Sequence, residues 1–239
     1  GVSCAGALGP VVTTSLRQMD PRWPLGIASL ALAVAGLLAS RVEPLRANAS
    51  SIDAASIAWR PVLLLAAIAW IAAFGMQLHT SFGSALAPAV AARIWWVPVF
   101  WIGFAVGLIV AARTNGSVHA MRWCATSLVI GAVSFWAASR AGGTAAFVTA
   151  QCLAGATWAI VLTTVLANAL RFGGPKGLAS PLGVLMSAIS LAALSRLLCV
   201  AFGLQRITDW TFWALALWLI AAGGALCVRQ RPQAADAVA

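Results

Sequence analysis

Long stretches without charge constrain this chain more than any other feature. Only 8% of its 239 residues are charged and 62% are hydrophobic. An apolar helix of about 20 residues spans the hydrocarbon core of a bilayer. The intervals between charges that approach or exceed this length lie at approximately 1–16, 24–40, 61–83, 94–112, 123–139, 144–170, 178–204 and 210–228.

These eight intervals are predicted to be transmembrane helices. Backbone N–H and C=O groups in lipid must be paired internally, which leaves helices or closed barrels. The intervals lack the alternation of a barrel strand, and they are rich in Ala, Leu, Ile, Val and Gly. The fold class is therefore all-α, a polytopic helical bundle. Because the sequence opens on Gly1 inside an apolar run, we expect a fragment that lacks preceding helices.

The net charge of +10 is better explained by membrane topology than by nucleic acid, because the basic residues lie between spans and not along one face. Alternate connections carry nine basic residues on one side: Arg41, Arg46, Arg60, Arg113, Arg122, Arg171, Lys176, Arg229 and Arg231. The other side carries five: Arg17, Arg22, Arg93, Arg140 and Arg206. The positive-inside rule then predicts a multi-pass inner-membrane protein with a cytoplasmic C-terminus.

The cysteines and tryptophans are given structural roles. Five cysteines are scattered singly without metal-ligand spacing, so we interpret them as packing residues and expect no cofactor. Many tryptophans fall near predicted span ends, which is typical of anchoring at the membrane interface. These are Trp23, Trp59, Trp95, Trp96, Trp123, Trp210 and Trp213.

The longest polar interruption, residues 41–60, divides the chain. It separates two helices within 1–40 from six helices within 61–228, and a short tail follows at 229–239. We expect the interruption and the tail to be cytoplasmic. If four more helices preceded the first predicted span, the loop 41–60 would separate six helices from six.

A glycine-rich segment in the first span ends in Gly-Pro, with Gly6 before Gly9 and Pro10. The chain resembles the last eight of twelve helices of a major facilitator superfamily transporter. The features that carry this resemblance are the Gly-Pro motif, the polar central loop, the six following spans and the basic tail. The loop Ala112 to Gly116 lacks the acid of that family's loop motif. Gly-Pro in a membrane helix is also typical of a simple kink or close contact.

The resemblance implies a membrane transporter that moves a small solute by alternating access between two six-helix halves. Its partners would be that solute, the lipid bilayer and the missing N-terminal helices. The Gly-Pro motif favours export. No Asp or Glu lies within a predicted span, so proton coupling would depend on His79 or on helices outside this chain.

Polar residues inside spans are the candidate substrate-binding positions, because such residues are costly in lipid and should face a cavity or another helix. In the third span these are Gln77 and His79, and an interhelical hydrogen-bond cluster is an equal alternative. In the sixth span Gln151 and Trp158 offer a hydrogen bond and a stacking surface. The sixth-span threonines are instead expected to bond to their own helix.

Arg196 is the only basic residue placed within a predicted span, near the end of the seventh. It either holds an anionic substrate, pairs with an acid of the missing half, or extends its guanidinium to the interface.

An enzyme is not expected, because the sequence has no GxSG or HExxH motif and its two histidines are far apart. The remaining alternative is a non-transporting assembly or accessory subunit of the membrane.

Overall fold

Six helices account for almost all of the described structure. The computed structural model describes residues 58–82, 90–114, 119–173, 179–204 and 209–228. The helices are α1 (Trp59–Phe82), α2 (Val90–Thr114), α3 (Ala120–Ser139), α4 (Thr144–Gly173), α5 (Ala179–Ala201) and α6 (Trp210–Cys227). The first two predicted spans, Gly6, Gly9 and Pro10, most of the loop 41–60 and the tail 229–239 lie outside the described residues.

The prediction of an all-helical class is confirmed for the described part of the chain, where no strand occurs. Five helical segments are long and apolar enough to cross a membrane by length and composition: Trp59–Ser81, Ala120–Ser139, Thr144–Phe172, Pro181–Ala201 and Trp210–Cys227. Helix α2 contains a proline, Pro98, and among its residues whose side chains the structure describes, Pro98–Arg113 form an apolar segment.

Helix ends coincide with local stop and start signals. The Asp209 carboxylate caps α6 by accepting hydrogen bonds from the backbone N–H groups of Thr211 (3.1 Å) and Phe212 (3.4 Å), which satisfies donors that the first turn leaves unpaired. After α5, Gly203 adopts φ 68°, a left-handed conformation that glycine tolerates. Its N–H donates to the Val200 carbonyl at 3.0 Å and closes the helix.

Short connections between the described helices make consecutive helices antiparallel. The first residue before α1 lies beside the end of α4, where the Ala58 N–H donates to the Phe172 carbonyl at 3.4 Å. Helices α1 to α3 and α4 to α6 therefore enter the bundle from opposite sides. They form two three-helix units of inverted direction.

The pattern of contacts between helices is symmetric with respect to the two three-helix units. The most extensive contacts join α2 with α4, α3 with α4, α3 with α6, α1 with α6 and α1 with α5, and smaller ones join α1 with α4 and α4 with α5. Exchanging α1 with α4, α2 with α5 and α3 with α6 maps each of the five extensive contacts onto another or onto itself. The two units thus pack as pseudo-equivalent repeats, and all five extensive contacts join a helix of one unit to a helix of the other.

The α2–α4 contact is made close by glycines on both helices. A Cβ added at Gly103 would lie 1.9 Å from the Cys152 carbonyl oxygen, and one at Gly155 would lie 1.8 Å from the Phe100 carbonyl oxygen. Gly107 is equally confined by α4, which completes a GxxxG pair with Gly103. Small residues let membrane helices approach until their backbones touch. The resulting van der Waals contact stabilises the helix pair, because in lipid there is no hydrophobic effect to hold helices together.

Replacing Gly155 with alanine should destabilise the bundle, because even a methyl group has no room against α2. Overpacking of this kind typically costs about 1–3 kcal/mol. Gly223 on α6 is the matched control: nothing lies within 4 Å of an added Cβ there. Gly223→Ala should be neutral or stabilising by up to about 1 kcal/mol through helix propensity.

Thermal unfolding of the purified protein in detergent, followed by size-exclusion chromatography, measures both variants. A lower midpoint for Gly155→Ala and an unchanged or higher one for Gly223→Ala is expected. Equal midpoints would contradict the close α2–α4 contact.

Candidate functional site

Two polar side chains predicted from sequence meet in the interior of the bundle. His79 of α1 is 3% exposed and Gln151 of α4 is fully buried. The His79 Nε2 atom lies 3.2 Å from the Gln151 Oε1 atom and 2.9 Å from the Gln151 Nε2 atom. The pair joins the two inverted three-helix units.

The geometry of this pair permits either tautomer of the imidazole. A protonated Nε2 can donate to the Gln151 Oε1, and an unprotonated Nε2 can accept from the Gln151 amide N–H. In both arrangements a buried polar group finds a partner, which avoids the cost of leaving it unsatisfied. Gln151 can therefore follow a change of tautomer at His79 by turning its amide.

Aromatic rings enclose the His79–Gln151 pair. The imidazole of His79 stacks on Phe135 of α3 with ring centroids 4.0 Å apart and planes 22° apart. Phe135 in turn meets Trp218 of α6 edge to face at 4.6 Å. Trp158 of α4, a sequence-predicted site residue, is buried and lies 6.3 Å from Trp218 between centroids. We call Phe135, Trp158 and Trp218 the aromatic cluster.

Trp218 is fixed at the centre of the aromatic cluster by its indole N–H, which donates to the Ala72 carbonyl oxygen of α1 at 2.8 Å. Glycines make room for the ring on two sides. An added Cβ would lie 1.9 Å from the Trp218 ring at Gly131 and 2.6 Å from it at Gly75. The indole therefore ties α6 to α1 and α3.

Gln77 is separated from the pair, although it was predicted as part of the same site. It is half-buried and lies two residues before His79, so the two side chains leave α1 on different faces. Its side chain makes no hydrogen bond with His79 or Gln151.

Arg196 of α5 approaches α1 two residues beyond His79. Its Nη1 atom donates to the Ser81 hydroxyl oxygen at 3.1 Å, whereas its enclosed Nε has no partner within the described part of the chain. A second polar contact joins the same helices, from the Trp70 indole N–H to the Ser195 hydroxyl oxygen at 3.4 Å. The guanidinium thus keeps donor capacity beside the main pair but does not touch it.

The expected self-bonding of the sixth-span threonines is confirmed at Thr157. Its hydroxyl donates to the carbonyl oxygens of Leu153 at 3.0 Å and Ala154 at 2.9 Å, both in its own helix. The Asn168 amide likewise donates to the Thr164 carbonyl at 2.8 Å. These groups are satisfied locally, whereas the Gln151 side chain bonds across to His79 of α1.

Phe135 and Trp218 are the site residues that sequence reasoning missed. A usable signal was present: Gly75 precedes His79 by four residues, and Gly131 precedes Phe135 by four. Each glycine lies one turn from the ring on the same helical face, where it leaves space for another ring.

The chemistry available at this site is hydrogen bonding and ring stacking. Among the described residues, no group of three or more His, Cys, Asp or Glu side chains could hold a metal ion. Searches of protein-family models, curated proteins and solved structures found no match to the chain.

The His79–Gln151 bond should register as an energetic coupling in a double-mutant cycle with His79→Phe and Gln151→Leu. Interhelical hydrogen bonds in membrane proteins average about 0.6 kcal/mol with a maximum of about 1.7 kcal/mol. We expect a coupling in that range from reversible unfolding in mixed micelles. A cycle of His79→Phe with Thr163→Val is the control, since the Thr163 hydroxyl bonds to the Ala159 carbonyl of its own helix. Equal couplings in the two cycles would contradict the bond.

Proposed function

We propose that this chain is part of a membrane transporter of the major facilitator type, which moves a small solute by alternating access. The observation that carries the proposal is the pair of inverted three-helix units described above. Inverted repeats are a common construction of secondary transporters, and their substrate sites lie where repeats meet. The His79–Gln151 pair joins these units through α1 and α4.

The polar composition of the site supports a solute-handling role for the same residues. Polar side chains within membrane spans are rare and commonly mark a substrate or ion pathway. Here an imidazole, an amide and aromatic faces lie together, which suits an amphipathic or hydrophobic compound better than a sugar with many hydroxyl groups. The Arg196 Nε–H group has no partner among the described residues, so it would favour a compound that carries an acceptor or a negative charge.

Export as the direction rests on the Gly6, Gly9 and Pro10 motif, and proton coupling rests on His79. In this proposal the six described helices form one half of the transporter. The helices of the other half would complete the path. The protein would lie in the inner membrane with its C-terminus in the cytoplasm.

A non-transporting accessory subunit is the second candidate, and one observation favours it. His79 and Gln151 satisfy each other and are buried, as they would be if their only role were to join helices. A transport role requires that a solute or a conformational change replace this bond. The two candidates therefore differ in what happens when the pair is removed.

Substituting His79→Ala or Gln151→Ala should reduce transport while the amount of protein in the membrane stays near normal. The measurement is efflux of a panel of amphipathic fluorescent dyes from cells that produce the full-length protein, normalised to membrane abundance. Thr163→Val is the matched control, because its hydroxyl serves only its own helix. We expect at least a tenfold loss for the pair variants, equivalent to about 1.4 kcal/mol.

Transport by both alanine variants at the level of the parent would refute these site assignments. If the parent also moves none of the dyes and no other solute, the accessory-subunit candidate is favoured.

Membrane orientation is tested separately with single cysteines in a cysteine-free background. A cysteine at Gly142, an exposed position between α3 and α4, should react with an impermeant thiol reagent in intact cells. Cysteines at Ser51 and Gln233 should be protected until the cells are opened, because the positive-inside rule places them in the cytoplasm. The reverse pattern would invert the proposed topology.

A further inference from the structure

A cavity lies between the end of α3 and the start of α6, and its lining includes neither the His79–Gln151 pair nor any residue of the aromatic cluster. Its volume is about 430 Å³. The charged groups that line it are Arg140 and Asp209, and its apolar wall is formed by Trp136, Phe212 and Leu215. Both helices are long and apolar enough to cross a membrane, and the cavity lies where α3 ends and α6 begins, which is one face of the bilayer if the helices span it.

The two charged residues line the same cavity without forming an ion pair with each other. The Arg140 guanidinium has no hydrogen-bond or ion-pair partner among the described residues. Asp209 uses its Oδ1 atom to cap α6, and its Oδ2 atom has no partner there. A cation and an anion are thus both available to one ligand in this cavity.

Polarity changes in order along the cavity. Arg140 and Asp209 lie just beyond the helix ends, whereas Trp136 is one turn inside α3 and Leu215 is more than one turn inside α6. Trp136 is 51% exposed and Phe212 is 61% exposed, so both rings are available to a ligand or to lipid. The cavity therefore offers charge at the membrane surface and apolar walls toward the bilayer interior.

We propose that this cavity binds a zwitterionic phospholipid whose headgroup carries a phosphate and a primary ammonium. The Arg140 guanidinium pairs with the phosphate, for which its fork of donors is well suited. The ammonium donates to the Asp209 Oδ2. An acyl chain lies along Trp136, Phe212 and Leu215. A purely anionic headgroup fits less well, because Asp209 repels it and gains no partner.

The primary ammonium is preferred over a quaternary one for a chemical reason. A quaternary ammonium has no N–H to give to the Asp209 carboxylate, although it can lie against an aromatic face. The free Oδ2 acceptor therefore selects phosphatidylethanolamine over phosphatidylcholine. Because the cavity is separate from the proposed transport site, this inference does not depend on the transport activity.

The experiment is native mass spectrometry of the full-length protein after equilibration with equal amounts of phosphatidylethanolamine, phosphatidylcholine and phosphatidylglycerol in mixed micelles. We expect phosphatidylethanolamine to be retained preferentially. Arg140→Gln should lower its retention about tenfold, as for the loss of one charge-assisted hydrogen bond. Arg122→Gln, at the opposite end of α3, is the control and should leave retention unchanged.

Asp209→Asn separates lipid recognition from folding, since asparagine caps helices as well as aspartate does. This variant should keep the melting temperature of the parent but lose the preference over phosphatidylglycerol, because the repelling charge is gone. Unchanged lipid ratios in both Arg140→Gln and Asp209→Asn would overturn the proposal. Displacement of the lipid by an equal concentration of glycerophosphoethanolamine would also overturn it, since the site would then recognise a soluble zwitterion without need of an acyl chain.

Discussion

The position of the Trp218 indole determines how α6 packs against α1 and α3. The ring is fully buried, and it contacts α1 at Gly75 and the Ala72 carbonyl, and α3 at Gly131 and Phe135. Lipid gives no hydrophobic drive for helices to associate, so close packing and hydrogen bonds must supply it. One large ring seated against two glycines provides both. His79 then stacks on Phe135, so the geometry of the candidate site follows from this contact.

The described helices could be predicted from the sequence because the positions of charged residues limit where a membrane helix can lie. Charges are excluded from the hydrocarbon core, and the gaps between them therefore mark the helices within a few residues, as at α4, predicted to span 144–170 and observed as Thr144–Gly173. The α2 helix differed most at its start, because the span was predicted from 94, directly after Arg93, and the helix begins at Val90. A charge near a helix end can extend toward the interface, and it does not stop the helix.

The positions of charged residues do not indicate which helices contact each other or through which side chains. His79 and Gln151 were each identified as polar residues in a span, yet their contact joins positions 72 residues apart. Gly155 lies one helical turn after Gln151 in the sequence, yet it packs against the backbone of α2 and not beside His79. Trp218 resembles any other tryptophan in its local sequence. Only its distant glycines distinguish a packed ring from one that anchors at the interface.

The contrast in strength between these contacts suits the proposed mechanism. The glycine-backed contacts at Trp218 and between α2 and α4 join the two inverted units closely, so they would hold the six described helices together as one rigid body. The His79–Gln151 bond between the two inverted units is a single hydrogen bond, worth about 0.6 kcal/mol on average in membrane proteins. A solute that offers one donor and one acceptor can replace such a bond at little cost. On this view the cluster holds the two side chains in place, and the weakness of the bond is what allows a solute to compete for them.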